Sequence, residues 1–289
     1  LSLLKVTRLG EVTRFDVART LWGRGRYWTT CYLVGTTMID TGCAHCATEL
    51  LGALGAAPLD HILTTHTHED HIGANGPLQR THSNLVIHAH ALALPVLADP
   101  RSRQPLHPYR KVMWGWPEPS TGTMIADSEE IQAGSYRFQA IHTPGHSPEH
   151  LCFYEPDRGW LFTGDLYVGG RDRALRAGYD IWEIIASLKR VAALDIRALF
   201  PGAARVPDEP TASLLAKIEH LEALGQQVLE LDRKGLTVAE ISRRLCGGPM
   251  LVELITLGHF SRRNLVRSYL GRNADPTEVR WPEGTDHRS

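Results

Sequence analysis

The chain has 289 residues, 43% of them hydrophobic and 22% charged, and its 31 basic residues nearly balance 32 acidic ones for a net charge of −1. That size suits one or two globular domains with a sizeable core. The composition excludes collagen-like, disordered and disulfide-framework chains, and the balance excludes a chain built mainly to coat nucleic acid or an anionic membrane. No apolar run approaches the roughly 18 residues of a transmembrane helix. The opening, Leu1-Ser2-Leu3-Leu4-Lys5-Val6, lacks the basic-then-apolar order of a signal peptide. Five cysteines, at 31, 43, 46, 152 and 246, are odd in number and irregular in spacing. They read as reduced thiols in a cytoplasmic setting.

Along the chain, β-type and helical runs alternate over the first two hundred residues. Residues 31–35 and 37–40 are two apolar runs joined by a tight break and predict a hairpin. Residues 44–55 have a helix-compatible pattern. Leu59–Thr64 and Leu85–His88 read as short strands. Residues 99–122 are rich in Pro, Arg, Trp and Gly and read as a long loop, with His107, Tyr109, Arg110, Trp114 and Trp116 suited to a substrate lid. Strands follow at 136–141, 151–154 and 160–162. Asp180-Ile181-Trp182-Glu183 has the form of a capping box, and the apolar residues from Ile181 to Leu194 recur at helical spacing. A last strand covers 198–200. Beyond Pro207 the pattern is helical to residue 271, with Thr237-Val238-Ala239-Glu240 as a second capping box. The expected division is therefore a catalytic domain over 1–207, a helical domain over 208–272 and a loose tail over 273–289.

The chemistry concentrates in Thr64-Thr65-His66-Thr67-His68-Glu69-Asp70-His71. Three imidazoles and a carboxylate stand directly after a buried strand, and all are good ligands for zinc and related first-row metals. A solitary core histidine is the ordinary alternative, but four ligand-type groups in one loop do not fit it. Two further segments match. Thr143-Pro144-Gly145-His146-Ser147 sets a histidine in a turn between strands. Thr163-Gly164-Asp165 sets a carboxylate at a strand end, where its two oxygens can bind separate cations.

Together with Ile39-Asp40-Thr41-Gly42, these segments resemble the metallo-β-lactamase superfamily of hydrolases, in order and across about 170 residues. The resemblance implies an α+β fold, a four-layer αββα sandwich with metals at one edge, here with a C-terminal all-helical domain. It also implies that His66, His68 and His146 hold one metal, that Asp70 and His71 hold a second, and that Asp165 bridges them. The C-terminal segment is similar to the winged-helix-like tail of longer members, one branch of which contains endoribonucleases. Arg263 and Arg267 would share one face of its last helix and Leu265, Val266, Tyr269 and Leu270 another. The family usually closes its site with a histidine in a Pro-Gly-His-Gly segment. Here the segment is Phe200-Pro201-Gly202-Ala203-Ala204, so Ala203 stands in that place and the second metal site is weakened or absent. His259 is a candidate to fill the gap.

The implied activity is hydrolysis of an ester, thioester or lactone by a metal-bound hydroxide, with Asp70 as catalytic base. Glyoxalase II-type thioester hydrolysis is one form. The expected cofactor is one or two Zn²⁺ ions, with iron or manganese as alternatives, and the expected partner is a small-molecule substrate, not nucleic acid or membrane. The alternatives are an RNA-directed phosphodiesterase using the helical tail, an iron-dependent oxidoreductase, and a non-catalytic metal-binding protein. Asp40 is expected to support the loop and Glu69 to face outward or cap the following helix. Tyr167 and Arg171 are weak substrate-binding candidates. Cys43-Ala44-His45-Cys46 reads as ordinary residues at the start of a helix.

Overall fold

The computed structural model describes residues 2–21, 24–25, 27–248 and 250–272. Strands β1 (Ser2–Leu9), β2 (Val12–Leu21), β3 (Arg24–Gly25), β4 (Thr29–Val34) and β5 (Thr37–Ile39) pair antiparallel. β4 and β5 are the expected hairpin. Strands β6 (His61–Leu63), β7 (Val86–Ala89) and β8 (Gly122–Met124) then join parallel to complete one mixed sheet. A second sheet contains β9 (Glu130–Ala133), β10 (Tyr136–His142), β11 (Leu151–Glu155) and β12 (Trp160–Gly164) in antiparallel order. It is closed by β14 (Ala198–Pro201), parallel to β12. Between β12 and β14 in the chain lies β13 (Leu175–Arg176), which pairs instead with the C-terminal β15 (Phe260–Ser261).

The apolar residues explain the layering. Val12, Tyr32, Ile39 and Leu63 from the first sheet meet Phe138, Phe153, Phe162 and Phe200 from the second in one cluster between the sheets. Leu-Cys-Phe-Tyr-Glu in β11 is buried at every position because helices cover its other face. The outer face of the first sheet is covered by α1 (Ala47–Leu54), α2 (Asn75–Thr81) and α3 (Ala93–Ala98), which add Leu50, Leu78 and Leu97 to a second cluster. The residues between 99 and 122 are not a plain loop. They hold α4 (Pro100–Arg103) and α5 (Pro108–Met113), each opened by a proline at its first position, where the missing N–H costs nothing.

The second sheet's outer face is covered by α6 (Ile181–Ala192). Asp180 caps it by accepting from the N–H groups of Trp182 and Glu183 at 2.8 and 3.2 Å. Its buried Ile181, Ile184, Ile185, Leu188 and Val191 each contribute about 1.5–3 kcal/mol. The chain continues as α7 (Pro210–Arg233), α8 (Val238–Cys246), α9 (Leu251–Ile255) and α10 (Arg262–Tyr269). The capping box at Thr237 is formed in both directions. Leu265, Val266 and Tyr269 are buried on α10, while Arg263 and Arg267 face out. This region departs from continuous helix at β15, whose ladder with β13 ties it to the loop after Asp165. One apolar cluster runs from Ile141 and Leu161 through Ile184 and Leu188 to Leu214, Leu221, Ile241 and Leu265. The tail expected over 273–289 lies outside the described residues. No helix among the described residues is long and apolar enough to cross a membrane.

Candidate metal centre

The site forms where the two sheets end together. β6 runs into the loop that carries His66, His68, Asp70 and His71. That loop is fastened from three sides. Asp40, just after β5, accepts from Thr65 N and Thr65 Oγ1 at 2.8 and 2.7 Å. Glu149 accepts from Thr67 N and Oγ1 at 3.0 and 2.7 Å. Leu151 N, at the start of β11, donates to Thr65 O at 2.7 Å. Asp40 itself has φ +56°, an unusual backbone for a non-glycine residue, kept by this network.

Across the cleft, β10 ends in the Pro144-Gly145-His146 turn and β12 ends at Asp165. Gly145 has φ +121°, and a Cβ there would lie 2.4 Å from Ile184 N, so the turn packs onto α6 only with glycine. Gly202 is equally confined. A Cβ would lie 2.9 Å from both Asp165 Oδ1 and His71 Cε1.

Five of the six expected ligands, His66, His68, His71, His146 and Asp165, converge, and Asp70 stands beside them in neither ligand group. His66 Nε2 and His146 Nε2 lie 2.8 and 3.0 Å from His68 Nδ1. Asp165 turns one oxygen to each half of the site: Oδ1 is 3.4 Å from His71 Nε2 and Oδ2 is 3.5 Å from His146 Nε2. Asp70 Oδ2 is 3.9 Å from His71 Nε2. Among the described residues, two groups have ligand atoms close enough to share a cation: His66, His68 and His146, and His66, His71 and Asp165.

The donor chemistry fits metal. Three buried ring nitrogens face one another, although a neutral imidazole has only one N–H to share. His71 Nε2 and Asp165 Oδ1 are buried without a well-formed hydrogen bond among the described residues. Behind His71, Nδ1 meets Asp40 Oδ2 at 2.7 Å, the carboxylate–histidine arrangement that fixes a ligand's ring. Asp40 thus supports the loop and also orients the His71 ring.

Electrostatics divide the cluster. Burial, reinforced by the neighbouring rings, holds His66 well below its ordinary range. Burial and the Arg176 guanidinium do the same for His68. His146 is brought down to about 3, mainly by burial. At His71 burial acts downward too, but Asp165 and Asp40 outweigh it and raise the ring. For Asp165 burial acts upward, yet His71 prevails and the carboxyl is lowered. Burial raises Asp70 to about 7 against the pull of His71.

The remaining expected residues are placed as follows. Ala203 is exposed and lines the cavity beside Asp70 and Asp165, and it brings no ligand atom. His259 does not fill the gap. Its Nδ1 meets Tyr109 Oη at 2.9 Å, its Nε2 accepts from Arg176 Nε at 3.1 Å, and its ring stacks on His107. Tyr167 packs into the core beneath Lys217, and Arg171 is exposed outside the cavity wall, so neither reaches substrate space. Glu69 corrects its expectation: it is fully buried and grips Arg110 of α5 through both carboxylate oxygens. Cys43 and Cys46 lie buried with Sγ atoms 3.5 Å apart, at a short turn leading into α1.

The sequence reading missed Arg176 and Tyr179, whereas Tyr109, expected on a substrate lid, does line the cavity. Arg176 Nη1 donates to His68 Nε2 at 2.7 Å, which leaves the ring's proton on Nδ1. Ligation through Nδ1 requires that proton to move to Nε2 and Arg176 to give up the contact. Tyr179 Oη lies 3.2 Å from His146 Nε2. No motif marks residues 166–179, so no sequence signal pointed to either side chain. Beside this cluster opens a cavity of about 850 Å³, walled by α5, β13, α6, α9 and β15.

The sequence profile of the metallo-beta-lactamase superfamily matches residues 25–203. Over 243 residues the chain is 28% identical to the lactamase-like protein vrtG of Penicillium aethiopicum, covering 76% of this chain and 68% of that one. It is 26% identical over 224 residues to an atrochrysone carboxyl ACP thioesterase of Aspergillus fumigatus, covering 73% of this chain and 63% of the relative. The fold is similar to that of a metallo-beta-lactamase family protein from Thermus thermophilus, with a TM-score of 0.63 at 20% identity, covering 87% of this chain and 93% of that one. The chain belongs to the metallo-beta-lactamase superfamily.

Proposed function

We propose that the protein is a metal-dependent hydrolase of small-molecule esters or thioesters, working in the cytoplasm with zinc as its metal. The observation that carries this reading is the buried convergence of His66 Nε2, His68 Nδ1 and His146 Nε2 beside His71 Nε2 and Asp165 Oδ1, at the edge of a substrate-sized cavity. The similarity to a protein named as an ACP thioesterase supports the ester and thioester class.

His66, His68 and His146 would hold one cation, and His71, Asp70 and Asp165 a second. When bound, such a cation supplies Lewis-acid polarisation and lowers the pKa of a water from 15.7 to about 7. The chain's own residues do the rest. Asp70, lining the cavity beside His71, receives the proton given up by water. Tyr179, at hydrogen-bonding distance from His146, stands where it can donate to the oxygen that gains charge. Apolar walls exclude bulk water from the acyl side. With Ala203 in place of a final histidine, the second cation has fewer protein ligands and binds more weakly than the first.

Metal stripping followed by titration tests this. Chelation should abolish thioester hydrolysis and added zinc should restore it. His146→Ala should lower kcat/KM at least a hundredfold together with metal content. The protein should retain clearly fewer than two equivalents after desalting, and Ala203→His should raise that count. Undiminished turnover by metal-free protein would refute the hydrolytic reading, and two tight equivalents in the unaltered chain would refute the weakened second site.

A further inference from the structure

The cavity restricts what the substrate can be, an inference that rests on the hydrolytic reading above. Its volume, about 850 Å³, is near the upper end of the 300–1,000 Å³ usual for small-molecule sites. Away from the histidines its wall is largely hydrocarbon, with Val112, Met113, Leu175, Ile184, Val252 and Ile255 among the contributors. Three cationic side chains also reach it, and each is engaged by the chain itself. Arg110 is held by Glu69, Lys217 Nζ by Asp172 at 2.7 Å, and Arg176 Nε by His259 Nε2 at 3.1 Å, a contact that does not depend on His68. A carboxylate or phosphate entering here would have to displace those contacts. An uncharged hydrocarbon group displaces none of them.

The rim carries a second observation. Helix α9 is five residues long. Val252 and Ile255 line the cavity, yet Ile255 is 49% and the adjacent lining residue Leu251 is 73% exposed. Large apolar side chains left in water at the mouth of an apolar cavity gain most when a bound hydrocarbon covers them.

We propose that the cavity is an acyl site for a bulky, uncharged, apolar acyl group, and that α9 is the wall that sets how long that group can be. The reacting carbonyl lies at the histidine cluster and the hydrocarbon extends toward α9. The C-terminal region is then a specificity element of the same site.

A homologous series of N-acetylcysteamine thioesters, from acetyl to dodecanoyl, tests this with zinc-loaded protein. The ratio kcat/KM should rise about fourfold per added methylene until the cavity is full. A carboxylate at the far end of an octanoyl chain should lower it at least tenfold. Ile255→Trp alters a half-exposed rim position that the core does not need. It should reduce the ratio of dodecanoyl to butanoyl turnover at least tenfold. Leu254→Trp, on the same helix but outside this cavity's wall, should leave that ratio unchanged. A binding measurement needs no turnover. N-phenyl-1-naphthylamine, an uncharged apolar fluorophore, should bind, and Ile255→Trp should weaken it at least fivefold. Hydrolysis indifferent to chain length, with the fluorophore unbound, overturns the acyl site and leaves the hydrolase reading intact. Fluorophore binding that responds to Ile255→Trp, with no thioester hydrolysed, keeps the acyl site and overturns the hydrolase reading.

Discussion

In the loop 66–71, Glu69 and Arg110 bury opposite charges against each other through two hydrogen bonds. The pair pins α5 to the ligand loop and so fixes the cavity wall that carries Tyr109 and Met113. Removing one partner leaves the other charge unpaired at a nearly fully buried position. Glu69→Gln should therefore lower the unfolding free energy of the metal-free protein by about 3–5 kcal/mol, measured by urea denaturation. Glu69→Leu with Arg110→Met should recover most of that loss, because the charge left behind is removed too. Equal losses in the two variants would show that the pair is not the source. At this scale the sequence was most legible for the candidate metal ligands, because His66, His68, Asp70 and His71 are neighbours in the chain. It was least legible for Glu69 and Arg176. Arg110 lies 41 positions from Glu69, Arg176 lies 108 from His68 and 83 from His259, and no motif marks the stretch around Arg176, so nothing local distinguishes a buried charge from a solvated one.

Elements with a strong apolar period were readable, and those without one were not. Residues 181–194 announce α6 through a cap and a helical stripe, and residues 31–40 announce their hairpin. β1 and β2 pass unnoticed because Lys5, Arg8, Arg14 and Arg19 interrupt the apolar positions of strands near the sheet edge. α4 and α5 are too short for any period to register. β7 shows an effect that belongs to an element. It carries His88, whose Nε2 lies 3.1 Å from His61 Nδ1 on β6, and leads into His90, stacked on His142 at 4.7 Å. Burial lowers both rings to about 4, helped by His61 and His142 respectively. Unfolded histidine titrates near 6.5. Between about 6.5 and 4 the unfolded chain therefore takes up protons that the folded chain refuses. The stability present above pH 6.5 is lost as the pH falls through that window. Both rings are partly exposed, so solvent screening limits the effect to on the order of 1 kcal/mol each. In urea denaturation at pH 7 and pH 4.5, His88→Gln/His90→Gln should lose about 2 kcal/mol less on acidification than the unaltered chain. An identical loss would place the acid sensitivity elsewhere.

Over the whole molecule, the division near residue 207 that composition suggests meets a core that crosses it. Leu214, Leu221 and Val228 of α7, Ile241 of α8 and Leu265 and Val266 of α10 share one cluster with α6 and the second sheet. Tyr269 Oη donates to Leu221 O at 2.7 Å, and Ser268 Oγ, receiving from Ile181 N at 2.8 Å, joins α10 to the first turn of α6. β13 and β15 add a backbone ladder between the loop after Asp165 and the C-terminal region. We propose that residues 208–272 fold only together with the sandwich. If so, calorimetry of the intact chain should show one transition whose calorimetric and van't Hoff enthalpies agree. A chain ended at residue 207 would leave in water the apolar residues of α6 that pack against α7 and α10, since only the sheet side of the helix would stay covered. Each large apolar residue so exposed forfeits about 1.5–3 kcal/mol, and a few of them equal the entire stability of an ordinary domain. The shortened chain should therefore lose its cooperative transition and aggregate. A soluble 1–207 fragment that melts cooperatively would show instead that the shared cluster is an interface between two independent units. In that case the acyl wall formed by α9 would be a separable addition to a complete catalytic domain.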